Sequence, residues 1–293
     1  MTLSALTPVP HEAPPGAPLG DLHARTALVA LALVRDAPGA RGGGALVRAL
    51  RERPGADAAA LLTDADADGA ADARALSHGA IALCAQQPDR AGWVVPTIAE
   101  QFPDALSLQE DGVTWALLPA RALDDAGRST TEAALRVAAR LGARTAVGLS
   151  PFVTGPERLH HALRQARIVL AIVRRGEVGA EEATTGTWRL LLATAVCDPG
   201  ELEACVAASI GPALDHDARL RTEVVPTFRA YLEQGANMNA TATAIYAHRH
   251  TVAARLERLH ALTGLDAMRY DDRERLGLGI KARAVLEALA EVR

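Results

Sequence analysis

Towards the C-terminal end of this 293-residue chain, His248, Arg249, His250, Thr251, Arg255 and Arg258 fall within one short run. Between residues 237 and 264 three arginines face a single acid, Glu257. Guanidinium forks and imidazoles at helical spacing suit phosphate oxygens and the edges of bases. With Val252, Leu256 and Leu259 turned inward at i, i+4 and i+7, the opposite face centres on His250, Ala254 and Glu257. Thr251, Ala253 and Arg258 flank that face, and His248 and Arg249 occupy the first turn, where a recognition helix reaches bases and phosphates. Arg249 is placed against phosphate or guanine, His250 and Thr251 against bases or backbone, and Arg255 and Arg258 against phosphates. Asn239 and Thr241, just upstream, complete the candidate set of DNA contacts.

Other chemistry-bearing residues lead nowhere comparable. Asp64, Asp66, Asp68 and Gly69 fit the first half of a calcium loop, but the twelfth position is Ala75 instead of a bidentate Glu. His160 and His161 are adjacent on a helix, diverge by about 100° and do not share a metal; they read as surface or boundary residues. Cys84, Cys197 and Cys205 form no CxxC pair and sit in apolar or Ala-rich surroundings, which predicts buried, inert thiols. No catalytic, metal or cofactor-binding residue is assigned.

The cationic run needs elements to hold it. Val225, Phe228 and Leu232 give one helix, stopped at Gly235. Asn239 is expected to cap a second, from Ala240 to about Tyr246, with Ala240, Ala244 and Ile245 on its inner face. The recognition helix spans 248–262, and Gly264 supplies its left-handed stop. Three short helices in this order make a helix-turn-helix. Upstream, strands near 78–86, 107–110, 113–120 and 144–150 alternate with helices at 92–102, 129–141 and 156–175. The order β-α-β-β-α-β-α predicts a ferredoxin-like sheet. The hairpin turn is Glu110-Asp111-Gly112. Two helices, 187–196 and 199–210, should link sheet to reader, and one or two more after Gly264 should close the C-terminal bundle. Near the N-terminus, 1–20 is rich in Pro, Ala and Gly and reads as disordered. An apolar element at 22–34 suggests packing against another subunit or domain; a helix at 45–53 and a strand at 58–63 follow.

The run YLEQGANMNATATAIYAHRHTVAARLERLHALTGL, residues 231–265, resembles the C-terminal DNA-binding domain of PucR/CdaR-type bacterial transcription regulators. Asn237, His248, Arg249, Thr251, Val252, Arg255, Leu256 and the Leu262-Thr263-Gly264 ending match the family pattern. His250 stands where that pattern has Asn, and Ala253-Ala254 where it has Arg-Tyr, which predicts weaker and less selective DNA binding. The preceding module, with its VGLSPFVTGPERLHHALRQAR run, resembles the GGDEF-like domain of the same regulators. A diguanylate cyclase needs a Gly-Gly-acid-acid-Phe hairpin and metal-binding carboxylates. Here the hairpin is LQEDGV and the first strand carries no carboxylate, so no enzyme activity is expected.

The fold class expected is α+β, mostly helical. It comprises a disordered 1–20, a small region 21–76 as a possible sensory remnant, a degenerate GGDEF-like domain 77–185, a helical linker 186–218 and a helix-turn-helix domain 219–293. The formal net charge of −4 confines any basic footprint to a local patch, and 3% aromatic residues argue against a base-stacking platform for single strands. Without a signal peptide or an apolar run of spanning length, a cytoplasmic protein with no membrane partner is expected. The resemblance implies double-stranded DNA as partner. The apolar 22–34 element and the short helical reader predict a homodimer or higher homo-oligomer, which would read a near-palindrome. Whether a small-molecule effector exists is open. The rival is an interaction protein of the same family that works through partner proteins without binding DNA.

Overall fold

The computed structural model describes residues 43–52, 76–86, 92–120 and 127–292. The segments 1–20, 22–34, 58–63 and the acidic loop at 64–69 lie outside the described residues. The first part of the chain runs α1 (Gly43–Glu52), a 3-10 turn (Leu76–His78), β1 (Ala80–Gln86), α2 (Val94–Ala99), β2 (Leu106–Glu110), β3 (Val113–Pro119) and α3 (Arg128–Gly142). It continues with β4 (Val147–Leu149), a second 3-10 turn (Pro156–Arg158) and α4 (Leu159–Arg174).

The strands form one sheet in the order β2-β3-β1-β4, every neighbour antiparallel. That is the ferredoxin-like arrangement that the element order predicts. The apolar run of β1 is continuous because both sheet faces are covered. Ala80, Ala82 and Cys84 join Leu108, Trp115 and Leu117 beneath α1 and α4, while Ile81, Leu83 and Ala85 join Leu118 and Leu149 beneath α2 and α3. On β4 the backbone of α4 comes so close that a Cβ on Gly148 would lie 2.2 Å from the Ala166 carbonyl oxygen. Only glycine fits there.

Asp111 and Gly112 turn the β2–β3 hairpin with φ of 51° and 70°, the pair of left-handed residues that a two-residue turn requires. Glu110, just before it, forms ion pairs with Arg48 Nη2 at 3.1 Å and Arg51 Nη1 at 2.6 Å, and Arg51 also lies over the Trp115 ring. The hairpin carboxylate is thus engaged in tying α1 to the sheet. Leu46, Val47 and Leu50 of α1 belong to the same core as the sheet face, so this part of the 21–76 region packs into the sheet domain. His160 Nδ1 lies 3.2 Å from the Leu50 carbonyl oxygen of the same helix.

The remaining chain is helical: α5 (Ala180–Ala183), α6 (Gly186–Cys197), α7 (Pro199–Ser209), α8 (Gly211–Leu220), α9 (Val224–Glu233), α10 (Met238–Ala244), α11 (Arg249–Thr263) and α12 (Tyr270–Glu291). Helix α8 is an element that the sequence reading lacks. A second core joins Ile168 and Ile172 of α4 to α6, α7 and the end of α12, and a third gathers α8 to α11 around Phe228. Helix α12 therefore does more than close the C-terminal bundle. Its Leu276 lies in the Phe228 core, whereas Val285, Ala288 and Leu289 lie in the linker core. Arg175 clasps its far end through Glu287 at 2.7 Å and Glu291 at 2.9 Å.

The cysteines divide. Cys84 is buried, and desolvation pushes its thiol pKa far up. Cys205 is half-buried, and burial raises its pKa too. Cys197, at the end of α6, is exposed, which corrects the expectation of three buried thiols. Among the described residues no helix is long and apolar enough to cross a membrane.

Candidate nucleic-acid interface

The interface is built upward from the turn before α9. There the Asp217 carboxylate accepts from the backbone amides of Val224 at 2.9 Å and Val225 at 2.8 Å, satisfying free donors at the start of α9. Thr222 also donates its hydroxyl to Asp217, at 2.6 Å. Val224, Val225, Phe228 and Tyr231 turn inward, and α9 gives way to a left-handed Gly235.

The cap of α10 is Asn237, two residues before the position expected. Its Oδ1 accepts from the amides of Asn239 and Ala240, each at 3.0 Å, and its backbone is extended as a cap requires. Asn239 therefore lies inside the helix with an exposed side chain. Thr241 is buried at 0% exposure and donates its hydroxyl to the Asn237 carbonyl at 2.7 Å, so it positions α10 and cannot reach a groove. The inner face of α10 is Thr241 and Ala242; Ala244 is exposed. This short helix has room for one side of its first turns only.

Between α10 and α11 the chain turns through Tyr246, which stands in the left-handed region at φ 52° and is 98% exposed. Helix α11 opens at His248, whose Nδ1 accepts from the His250 amide at 3.3 Å, with the two imidazoles stacked 4.9 Å apart. A free backbone donor of the first turn is thereby met by a side chain of the same face. Val252, Leu256 and Leu259 are buried as the periodicity predicts, and Gly264 ends the helix at φ 74°.

His248, Arg249, His250, Thr251 and Arg258 are exposed, together with Ala254 and Glu257. Among the described residues neither Arg249 nor Arg258 enters an ion pair. Arg255 differs. Its guanidinium donates to Thr227 Oγ1 at 3.0 Å and meets Glu223 Oε2 at 2.9 Å, with the side chain 28% exposed. It fastens α11 to α9 and is not free for a phosphate. The open cation of this flank that sequence reasoning overlooks is Arg221, at the end of α8; without α8, nothing placed it beside α11.

The comparisons with known proteins agree with this geometry. Residues 224–282 match the family model described as the PucR C-terminal helix-turn-helix domain, and residues 21–172 match the GGDEF-like domain. None of the curated proteins matches. Among solved structures, a regulator of polyketide synthase expression from Bifidobacterium adolescentis is 15% identical, with a TM-score of 0.36 over 82% of this chain and 96% of that one. A likeness at that level carries no argument about fold or function. The two family models together cover most of the chain, one of them more than half of it. The chain belongs to the PucR/CdaR-type transcription regulators, with a GGDEF-like domain ahead of a C-terminal helix-turn-helix.

Proposed function

We propose that the protein is a cytoplasmic DNA-binding transcription regulator that reads duplex DNA through α11, as a homodimer whose two recognition helices engage a near-palindromic site. The observation that carries this reading is the free face of α11. His248, Arg249, His250 and Thr251 crowd its first turn, exposed, on a helix whose opposite side is buried in a rigid core. A helix of this width fills the major groove of B-DNA, and its first turn is the part that meets base edges. Asn239 and Arg258 complete the contact set, while Thr241 and Arg255 hold the unit together. The sheet domain serves as a non-catalytic platform, since the hairpin carboxylate Glu110 is committed to two arginines.

Titration of a duplex selected from a random-sequence pool, at two salt concentrations, tests the reading. Arg249→Ala should weaken binding to every duplex and reduce the salt slope by about one unit. A second reading has its own support: Ala253, Ala254 and Glu257 make part of the groove-facing surface uncharged or acidic. If the wild-type protein binds no selected duplex, or Arg249→Ala changes neither affinity nor slope, the interaction-protein reading replaces the first. Light scattering that reports a monomer at the concentrations used for binding would remove the dimer from the proposal.

A further inference from the structure

An open cleft of about 510 Å³ runs along one flank of α11, between that helix and the turn joining α8 to α9. Thr251, Ala254 and Arg258 form its α11 wall; Leu220, Arg221 and Thr222 form the other. We propose that this cleft seats a backbone phosphate of the DNA whose groove α11 enters, gripped between Arg221 and Arg258. The proposal rests on the DNA-reading assignment of α11 and adds a second element, the α8–α9 turn, to the contact surface.

Three observations carry it. The first is dimensional. The major groove is about 12 Å wide and a helix with its side chains about 10–12 Å across, so whatever lies against the flank of an inserted helix meets the sugar-phosphate wall. The α8–α9 turn is the structure at that flank.

The second observation is charge. Arg221 and Arg258 are both exposed, and among the described residues neither has an ion-pair partner. The carboxylate that shares the cleft, Glu223, is engaged by Arg255, and Asp217 beneath is occupied by three donors. The free charge facing the cleft is therefore positive.

The third observation is order. Arg221 stands at φ 53°, a left-handed conformation that an arginine adopts at a cost and that the surrounding network must maintain. That network is the Asp217 carboxylate holding Thr222, Val224 and Val225, with His216 Nδ1 at 2.9 Å from the Thr222 hydroxyl. Because that hydroxyl already donates to Asp217, Nδ1 carries the hydrogen in the contact. His216, 5% exposed, lines the cleft, and its Nε2 has no partner among the described residues.

The test uses the full chain with a selected duplex, an unrelated duplex of equal length and inorganic phosphate at constant ionic strength. Arg221→Gly is the principal variant, since glycine accepts the left-handed backbone and leaves folding intact; Arg221→Lys and Arg258→Gln accompany it. Expected for Arg221→Gly and Arg258→Gln is a roughly five- to tenfold loss of affinity near 0.1 M salt for both duplexes. The salt slope should also fall by about one unit in each, with Arg221→Lys retaining most of it. If Arg249→Ala weakens binding while Arg221→Gly leaves affinity and slope unchanged, the phosphate seat is refuted and the DNA-reading assignment stands. If both variants bind as the wild type does, both readings fall. If inorganic phosphate raises the melting temperature of the wild type but not of Arg221→Gly, and DNA binding is indifferent to Arg221, the cleft takes a free anion and the proposal is overturned.

Discussion

Arg255 illustrates how one side chain's role turns on its partners. Its type and spacing suit a phosphate, yet its guanidinium is spent on Thr227 and Glu223 of the neighbouring helix end. Arg255→Ala should therefore lower stability by about 0.5–1.5 kcal/mol, as expected for a half-exposed charge-assisted contact. It should leave the salt slope of DNA binding unchanged; a slope lower by one unit with an unaltered melting curve would return Arg255 to the phosphate contacts. The two asparagines of α10 separate in the same way. Asn237→Ala removes the acceptor for two amides and should cost about 1 kcal/mol in chemical denaturation. Asn239→Ala removes no cap and should be close to neutral in that assay. Equal losses from the two would mean that the cap lies elsewhere.

At the scale of elements, much is legible from periodicity alone. The i, i+4, i+7 stripe of Val252, Leu256 and Leu259 locates α11 and its buried side, and Asp111-Gly112 locates the hairpin, because in both cases local chemistry and tertiary packing agree. The cap of α10 is not legible in this way. Asn237 and Asn239 have equal chemistry, and only the extended backbone at Asn237 decides between them. Helix α8 is hidden for another reason: within GPALDHDARL only Ala213 and His216 are buried, so no apolar stripe announces it. With α8 unseen, Arg221 had no neighbour to be read against. Glycine at 148 is a further case, invisible in sequence because its reason lies across the sheet. Gly148→Ala would drive a methyl group into the α4 backbone at Ala166 and Leu170. A loss of about 2–4 kcal/mol, measured by denaturant unfolding, is expected, since neither backbone segment is free to withdraw. A neutral substitution would show that β4 and α4 can move apart.

Among the described residues, the sheet domain and the DNA-reading unit share no single core; α12 connects them, with Val206 of α7 packed against both the linker core and the Phe228 core. At about 33 Å it is long enough to place Leu276 among the residues around Phe228 and Val285, Ala288 and Leu289 among those of α4 and α6. The Arg229 guanidinium, hydrogen-bonded to Glu177 and Glu233, adds a polar tie between the start of the linker and α9, and those bonds hold its pKa above the ordinary value. Partly exposed ion pairs contribute little by themselves, so continuity of α12 should dominate the coupling. Leu278 lies between its two buried stretches and is 37% exposed, which makes it a site where the helix can be broken with little loss of packing. Leu278→Pro removes one backbone hydrogen bond and sets the ring against the Glu274 carbonyl, at a cost of about 3 kcal/mol or more. If the helix transmits stability between the two units, scanning calorimetry should show one transition for the wild type and for Leu278→Ala, and two separated transitions for Leu278→Pro, the DNA-reading unit melting first. A single transition displaced to lower temperature in the proline variant would mean that the units remain coupled without an intact α12. In that case the Arg229–Glu177 contact, with Val206 of α7 packed against both cores, would carry the connection.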